Sequence, residues 1–224
     1  ARGLEMIAEG VDIIDIGGES TRPGADRVSQ EEEIARTIPV IKELAKHGVK
    51  ISIDTMRAST AEAAIKAGAS IINDVSGGLA DDAMLQTAAR LQVPYIAMHW
   101  RGQSKDMNSK AIYGDVVNDV IAELNERIEA ALDAGIAKDK LIIDPGIGFA
   151  KDAEHNWAII DSIDRFVALG YPVLVGASRK RFLGGDSPDE REAATIELTK
   201  RLGTTGVWAV RVHSVKPHKE VLSS

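Results

Sequence analysis

The stretch LIIDPGIGFAK, residues 141–151, decides how this chain is interpreted. Its apolar residues run into the carboxylate of Asp144, and Pro145 then removes a backbone donor and ends the strand. Gly146 and Gly148 permit a tight turn, because glycine adopts positive φ at no steric cost. A buried strand that ends in an acid and a glycine loop is typical of the rim of α/β enzymes. The alternative is an ordinary strand-to-turn junction in which Asp144 only initiates the turn.

The same pattern recurs six more times along the chain. Helical periodicity separates these segments, and Ser29 with Glu32 and Ser59 with Glu62 predict capping boxes that begin two of the helices. The further predicted strands are 11–20, 50–55, 69–75, 93–100, 171–180 and 207–215.

The order of these elements predicts an α/β fold. Because no segment is typical of a hairpin, the strands must pair in parallel through right-handed crossovers. Seven β/α units in a single domain of 224 residues favour a (β/α)8 TIM barrel over a doubly wound open sheet, since nearly every strand ends in polar residues. A barrel needs an eighth strand, so we expect strand 1 and most of helix 1 to lie upstream of Ala1, and the last helix to be cropped.

Composition excludes several classes of protein. The 44% hydrophobic content supports a full core, and the net charge of −7 argues against a general affinity for nucleic-acid phosphates. The absence of cysteine excludes disulfides and thiolate metal sites, and five dispersed histidines predict no zinc site. No apolar run approaches the roughly 18 residues that a membrane helix needs, so a cytoplasmic protein is the default.

Polar side chains follow the predicted strands, where a barrel would bring them to one mouth. Separate salt bridges or caps would account for one or two of them, and His99 fits that description best. Two carboxylates and an amide suit a flat heterocycle that offers parallel N–H groups, although a glycosidase pair of carboxylates stays open. The residues concerned are Arg22, Asp54, Asn73, His99, Asp144, Lys180, Arg211 and His213.

Arg211 and His213 lie two residues apart on one predicted strand and therefore point to the same side. Together with Arg22 they predict an anion site, with room for a phosphate or a pyrophosphate, in an otherwise acidic protein. The alternative is an outward Arg211 in a salt bridge and a hydrogen-bonded His213.

Seven segments in order resemble the dihydropteroate synthase family, and most of all its actinobacterial form. Each motif is weak alone, but the series spans the chain and is specific as a set. The segments are DIGGESTRPGA (15–25), ISIDT (51–55), INDVSGG (72–78), MHW (98–100), DPGIGFAK (144–151), GASRKRFLG (176–184) and RVH (211–213).

The resemblance implies a transferase of folate biosynthesis. Members of this family join 6-hydroxymethyl-7,8-dihydropterin pyrophosphate to p-aminobenzoate and release pyrophosphate, usually with Mg²⁺. A cytoplasmic homodimer that sulfonamides inhibit is implied as well. Its partners are small molecules rather than nucleic acid or membrane.

The resemblance also assigns roles by matching positions. Catalysis is implied for Lys180, Arg211, His213 and Asp54, and pyrophosphate binding for Arg211, His213 and Arg22. The pterin is expected against Asp54, Asn73, Met98, Asp144, Phe149, Gly176 and Lys180. Thr21, Arg22 and Pro23 on one side, with Phe149, Ser178 and Lys180 on the other, are expected to hold p-aminobenzoate. The family's metal-binding asparagine is expected upstream of Ala1, so no metal ligand is predicted within the chain.

Two other interpretations stay open. A methyltetrahydrofolate-binding methyltransferase barrel would share acids and amides at its rim, but it has no pyrophosphate to hold. The STRPGA loop and the paired SRK and RVH motifs therefore argue against it. A pterin-binding paralogue that has lost synthase activity would keep every motif.

Overall fold

The computed structural model describes residues 1–20, 26–103 and 107–223, and within them seven β-strands alternate with helices. Every pairing between these strands is parallel. The strands are β1 (Ile13–Gly17), β2 (Lys50–Asp54), β3 (Ile71–Asp74), β4 (Tyr95–Met98), β5 (Leu141–Asp144), β6 (Leu174–Val175) and β7 (Ala209–Val210).

The helices fill the intervals between the strands. Short 3₁₀ turns cover Met107–Lys110, Lys138–Lys140 and Arg181–Leu183. The interval between β5 and β6 holds two helices that meet at Ser162. The helices are α1 (Arg2–Ala8), α2 (Gln30–Ala45), α3 (Ala58–Ala67), α4 (Met84–Leu91), α5 (Val116–Asp133), α6 (Ala153–Asp161), α7 (Ile163–Val167), α8 (Arg191–Leu202) and α9 (Lys216–Leu222).

Of the two predicted capping boxes, one cap forms and the other does not. The Ser29 hydroxyl accepts from the backbone N–H of Glu32 at 3.2 Å, as expected for the residue that begins α2. The prediction for Ser59 is wrong, because α3 already begins at Ala58. The N–H of Ala58 instead donates to the carboxylate of Asp81 at 2.8 Å, so a residue of a later loop caps this helix.

The strands follow one another in chain order. Strands β1 to β5 form one sheet and β6 and β7 form a pair. A parallel bridge between Ile143 and Val173 joins the two, and the N–H of Ile143 donates to the carbonyl of Pro172 at 2.9 Å. β6 and β7 are shorter than predicted: their paired residues end at Val175 and Val210, although the N–H of Arg211 still donates to the carbonyl of Val175 at 2.9 Å.

Apolar clusters lie on both faces of the sheet. The larger cluster lies between strands and helices and includes Ile51 and Ile53 of β2. The second consists only of strand residues: Ile71, Ile96, Ile142 and Leu174 are buried, and Ile13 and Ala209 pack against them. This second cluster draws on six of the seven strands, β1 and β7 among them. The fold is thus α/β with parallel strands.

Parallel pairing brings the carboxyl ends of the strands to one end of the sheet. The register places Asp54 beside Asn73 and Met98 beside Asp144. Polar residues that end neighbouring strands therefore share one rim. Within the described ranges, no helix is long and apolar enough to cross a membrane.

Candidate active site

An open recess with an empty volume of about 280 Å³ lies at the carboxyl ends of the strands. Six of the seven residues predicted to bind a pterin line it, together with Arg211 from the predicted anion group. Asp54 is the predicted residue that does not line it. The lining residues are Asn73, Val75, Met98, Asp144, Ile147, Phe149, Gly176, Lys180 and Arg211.

Asp144 lies at the bottom of the 144–151 loop and is only 6% exposed. Its Oδ1 accepts from the N–H of Gly146 at 2.7 Å, so the carboxylate initiates the turn and also lines the recess. Burial raises the pKa of Asp144, while the Gly146 N–H and the nearby cations Lys180 and Arg211 oppose that rise. Asp144 therefore initiates the turn and also occupies the rim position that the sequence predicted.

The loop after Asp144 has an unusual backbone. Gly146 and Gly148 have φ of 70° and 77°, and Ala150 has φ of 48° although it carries a Cβ. A Cβ on Gly146 would lie 2.5 Å from the carbonyl oxygen of His99. Glycine is therefore required at this position both for its dihedral and for the close approach of two backbones.

Lys180 crosses the recess from the loop after β6. Its ammonium donates to the carbonyl oxygen of Ile147 and lies 4.6 Å from the centroid of the Phe149 ring. Burial lowers the pKa of Lys180 to about 8, and the carboxylate of Asp144 opposes that shift. A cation and an acid thus face the same space, where a heterocycle with donors and acceptors would meet both.

Arg211 follows β7 and is held between two carboxylates. Its Nε contacts Oδ2 of Asp15 at 2.7 Å, and its Nη2 donates to Oδ2 of Asp54 at 2.8 Å. Burial raises the pKa of Asp54 to about 7, the Arg211 charge opposes that rise, and Asp15 adds to it. The Arg211 side chain remains 42% exposed, so the guanidinium is accessible to an anion in the recess.

Asp15 is a site residue that the sequence interpretation missed. Its carboxylate also accepts from the Ser52 hydroxyl at 2.5 Å and from the Asn73 amide at 3.2 Å. The signal was present in β1, where Asp15 alternates with the core residues Ile14 and Ile16 and must face the sheet interior.

His213 lies outside the recess lining and contacts the buried Ser178. The two side chains are joined between Nδ1 and Oγ at 3.0 Å, and the N–H of His213 approaches the same Oγ at 3.3 Å. The loop of Ser178 is held in turn by Glu192 of α8, which accepts from Nε of Arg179 at 2.6 Å and from the Ser214 hydroxyl. Glu192 therefore connects the loops after β6 and β7, and no sequence motif indicated it.

His99 has the structural role that the sequence favoured for it. The ring is 1% exposed, with Nε2 at 2.9 Å from Oε2 of Glu123 and Nδ1 at 2.8 Å from Nζ of Lys151. Burial lowers the pKa of His99 to about 4, so the ring is neutral at physiological pH. His99 supports the recess from behind.

Two predictions are not tested by this geometry: the p-aminobenzoate loop, and the expectation that the metal ligand lies outside the chain. Thr21, Arg22 and Pro23 lie outside the described residues, so the predicted p-aminobenzoate loop has no structural account here. Across the three described ranges, no group of three or more histidine, cysteine or acidic side chains is arranged to hold a metal ion.

Comparison with known proteins identifies a family. A family model described as "Pterin binding enzyme" matches residues 1–213. A dihydropteroate synthase of Mycobacterium leprae is 47% identical over 230 residues, covering 98% of this chain and 81% of the relative.

Solved structures agree with that match. The structure of the Xanthomonas albilineans enzyme with 4-aminobenzoic acid superposes with a TM-score of 0.93 at 41% identity, covering 99% of this chain and 80% of the other. The Yersinia pestis enzyme, described as a sulfonamide drug complex, superposes with a TM-score of 0.95 at 36% identity, covering 98% and 81%.

Proposed function

The chain belongs to the dihydropteroate synthase family of pterin-binding enzymes, which are transferases of folate biosynthesis, and we propose how its residues divide the work. The reaction joins 6-hydroxymethyl-7,8-dihydropterin pyrophosphate to p-aminobenzoate. The recess carries the proposal, because six of the residues assigned to the pterin from sequence line one space together.

In this proposal the pterin ring lies in the recess. Asp144 accepts from the N–H and amino edge of the ring, and Asn73 contacts the amino group and its neighbouring nitrogen. Lys180 donates to the oxygen on the opposite edge. Met98 and Phe149, which belong to one apolar cluster beside the recess, pack on the ring faces. A carboxylate that accepts two parallel N–H groups gives both affinity and orientation.

Gly176 completes the recess, because the absence of a side chain there leaves room for the ring. Asp54 contacts Arg211 at 2.8 Å and does not line the recess, so its proposed contact with a proton-bearing ring nitrogen requires the pterin to reach past the guanidinium. There the raised pKa of about 7 allows Asp54 to hold or release that proton near neutrality.

The pyrophosphate is proposed to lie beside Arg211, with His213 and Arg22 contributing to the same anion site. The amine nitrogen of p-aminobenzoate forms a bond to the pterin methylene carbon. The bond from that carbon to pyrophosphate oxygen breaks, the oxygen keeps the electron pair, and the nitrogen releases a proton. A fixed guanidinium stabilises the negative charge that develops on the leaving group.

The p-aminobenzoate is proposed to approach between Phe149, Ser178 and Lys180 on one side and Thr21, Arg22 and Pro23 on the other. Ser178 is 5% exposed and Lys180 contacts the Phe149 ring, so this side of the site is preorganised. A rigid site lowers the entropic cost of aligning two substrates.

Five further points belong to the proposal. The interior cluster shared by β1 and β7 supports a (β/α)8 barrel as the complete architecture. Mg²⁺ is proposed from the family alone; the described residues offer no cluster of ligands for it, and no step is assigned to it. A cytoplasmic location and a homodimer are proposed from the resemblance. Sulfonamide inhibition is proposed because the Yersinia pestis relative is described with such a drug.

The test uses the full-length protein with the pterin pyrophosphate and p-aminobenzoate, and measures release of pyrophosphate and formation of dihydropteroate. Complementation of a strain without synthase should restore growth without added folate products. A protein that binds the pterin but neither releases pyrophosphate nor complements would be a paralogue without synthase activity, and would refute the proposal.

A further inference from the structure

Lys151 is a buried lysine to which the proposed reaction assigns no role. Its side chain lies behind the 144–151 loop, and the residue is 8% exposed. Nζ contacts three acceptors: Nδ1 of His99 at 2.8 Å, the carbonyl of Gly146 at 3.1 Å and the carbonyl of Phe149 at 3.0 Å. An ammonium group has three N–H donors, so each has a partner.

The partners of Lys151 fix the proton on His99. Because Nδ1 accepts from Lys151, the ring proton lies on Nε2 and donates to Glu123 at 2.9 Å. Arg101 adds further hydrogen bonds to the same carboxylate, at 3.0 Å and 3.1 Å from its Nε. Although burial alone would raise the pKa of Glu123, the hydrogen bonds from His99 and Arg101 lower it to about 2. The series from Lys151 to Arg101 is a satisfied network, buried at Lys151 and His99 and partly exposed at Glu123 and Arg101, and Glu123 anchors it on α5.

The network acts on the part of the loop that most needs support. Gly146, Gly148 and Ala150 all have positive φ, which is unfavourable for a residue with a Cβ such as Ala150. Lys151 donates to the carbonyls of Gly146 and Phe149, so it holds the backbone on both sides of Gly148. Backbone conformations of this kind persist only where their surroundings hold them.

The same segment forms one wall of the recess. Ile147 and Phe149 line it, and the carbonyl of Ile147 accepts from Lys180. The N–H of Gly146 donates to Asp144. A shift of the 146–149 segment would therefore move Asp144, Phe149 and Lys180 relative to one another.

We propose that Lys151 is a positioning residue, which holds the 146–149 segment in the shape that the pterin requires without touching the pterin itself. This inference rests on the proposed function, because it assigns the loop's purpose to pterin binding. Lys151 acts through the loop backbone on one side and through His99 and Glu123 on the other.

The first test compares Lys151→Met with Lys66→Met in the full-length protein. Methionine keeps most of the volume of lysine but donates nothing, whereas Lys66 is a matched control because its side chain is 71% exposed on α3. We expect Lys151→Met to raise the KM for the pterin pyrophosphate, and its dissociation constant by calorimetry, roughly ten- to a hundredfold, since small misplacements in a site have effects of that size. Lys151→Gln, which retains an N–H donor, should give an intermediate value.

The second test needs no ligand and separates positioning from general stability. Hydrogen exchange at the amides of Gly146, Gly148 and Phe149 should quicken in Lys151→Met, while the core amides of α5 keep their rates. Uniformly faster exchange, or unchanged pterin affinity despite a loosened loop, would overturn the proposal. If the methionine variant does not fold, the glutamine variant supplies the same comparison. Failure of the unmodified protein to bind pterin would refute the proposed function itself. The two failures are distinguishable, because the exchange rates are measured without ligand and do not depend on pterin binding.

Discussion

Three glycines with similar positive φ provide a graded test of the loop geometry. Gly146, Gly148 and Gly170 have φ of 70°, 77° and 79°. An added Cβ would meet the carbonyl oxygen of His99 at 2.5 Å in the first and Cδ of Lys180 at 2.8 Å in the second. In the third it would meet nothing within 4 Å. Alanine at each position therefore meets a similarly unfavourable φ but a different steric conflict.

The expected losses follow from these contacts. Gly170→Ala should lose only the cost of the left-handed conformation, roughly 1–2 kcal/mol of unfolding free energy. Gly146→Ala should lose roughly 1–3 kcal/mol more, because a backbone carbonyl must move to relieve the conflict. Gly148→Ala should resemble Gly170→Ala in stability, since the flexible Lys180 side chain can shift. That shift should nevertheless raise the KM for the pterin substrate.

Urea unfolding of the three variants measures the losses, and each kcal/mol corresponds to roughly 2–4 °C in melting temperature for a domain of this size. Steady-state kinetics with the pterin pyrophosphate measures the displacement of Lys180. Equal losses for Gly146→Ala and Gly170→Ala would refute the close backbone approach. An unchanged pterin KM in Gly148→Ala would refute the placement of Lys180 above the loop.

The remaining predictions concern the charges in the recess. Asp144→Ala should abolish pterin binding in calorimetry, and unchanged affinity would contradict its assignment. Arg211→Ala should weaken pyrophosphate binding most, and should raise the pKa of Asp54 above about 7 because the opposing charge is lost; a fall in p-aminobenzoate affinity alone would move the anion site elsewhere. The pKa of Lys180 is about 8, so kcat/KM should fall above pH 8 as the ammonium deprotonates. Between pH 8 and the ordinary lysine pKa of about 10.5 the unfolded chain binds more protons, so the unfolding free energy should rise with pH relative to Lys180→Met. Glu192→Gln should lower kcat/KM while far-ultraviolet dichroism stays the same, and unchanged kinetics would show that the loops after β6 and β7 do not depend on it.

Much of the fold could be predicted from periodicity. In β2 the alternation of Ile51 and Ile53 with Ser52 and Asp54 separates the helix-facing core from the sheet interior, as observed. Strand bounds were less accurate, because β6 and β7 keep only two ladder residues each. Apolar character continues into Gly176 and beyond, and composition alone does not show where hydrogen-bonded pairing stops.

The positions of Asp144 and Lys180 at one recess could be predicted, because local sequence and strand order agree there. Asp15 was missed because its partners Ser52, Asn73 and Arg211 come from other strands. Its contacts with them depend on strand register rather than on its neighbours in sequence. The capping box predicted at Ser59 was wrong for a related reason, because the residue that caps α3 is distant in sequence. A local cap competed with Asp81, which reaches α3 from a later loop, and the tertiary partner prevailed.

The ion pairs of Arg211 affect how the chain folds during its synthesis. Its partner Asp54 lies 157 residues earlier in the chain, and Asp15 lies earlier still. During synthesis on the ribosome both acids emerge long before their counter-charge does. The nascent sheet must therefore keep Asp54 hydrated or protonated until β7 arrives, whereas Asp15 already has Ser52 and Asn73 as partners. Nascent chains stalled before β7 should accordingly bury Asp54 more readily in mild acid than at neutral pH, because burial raises its pKa and the opposing Arg211 charge is not yet present.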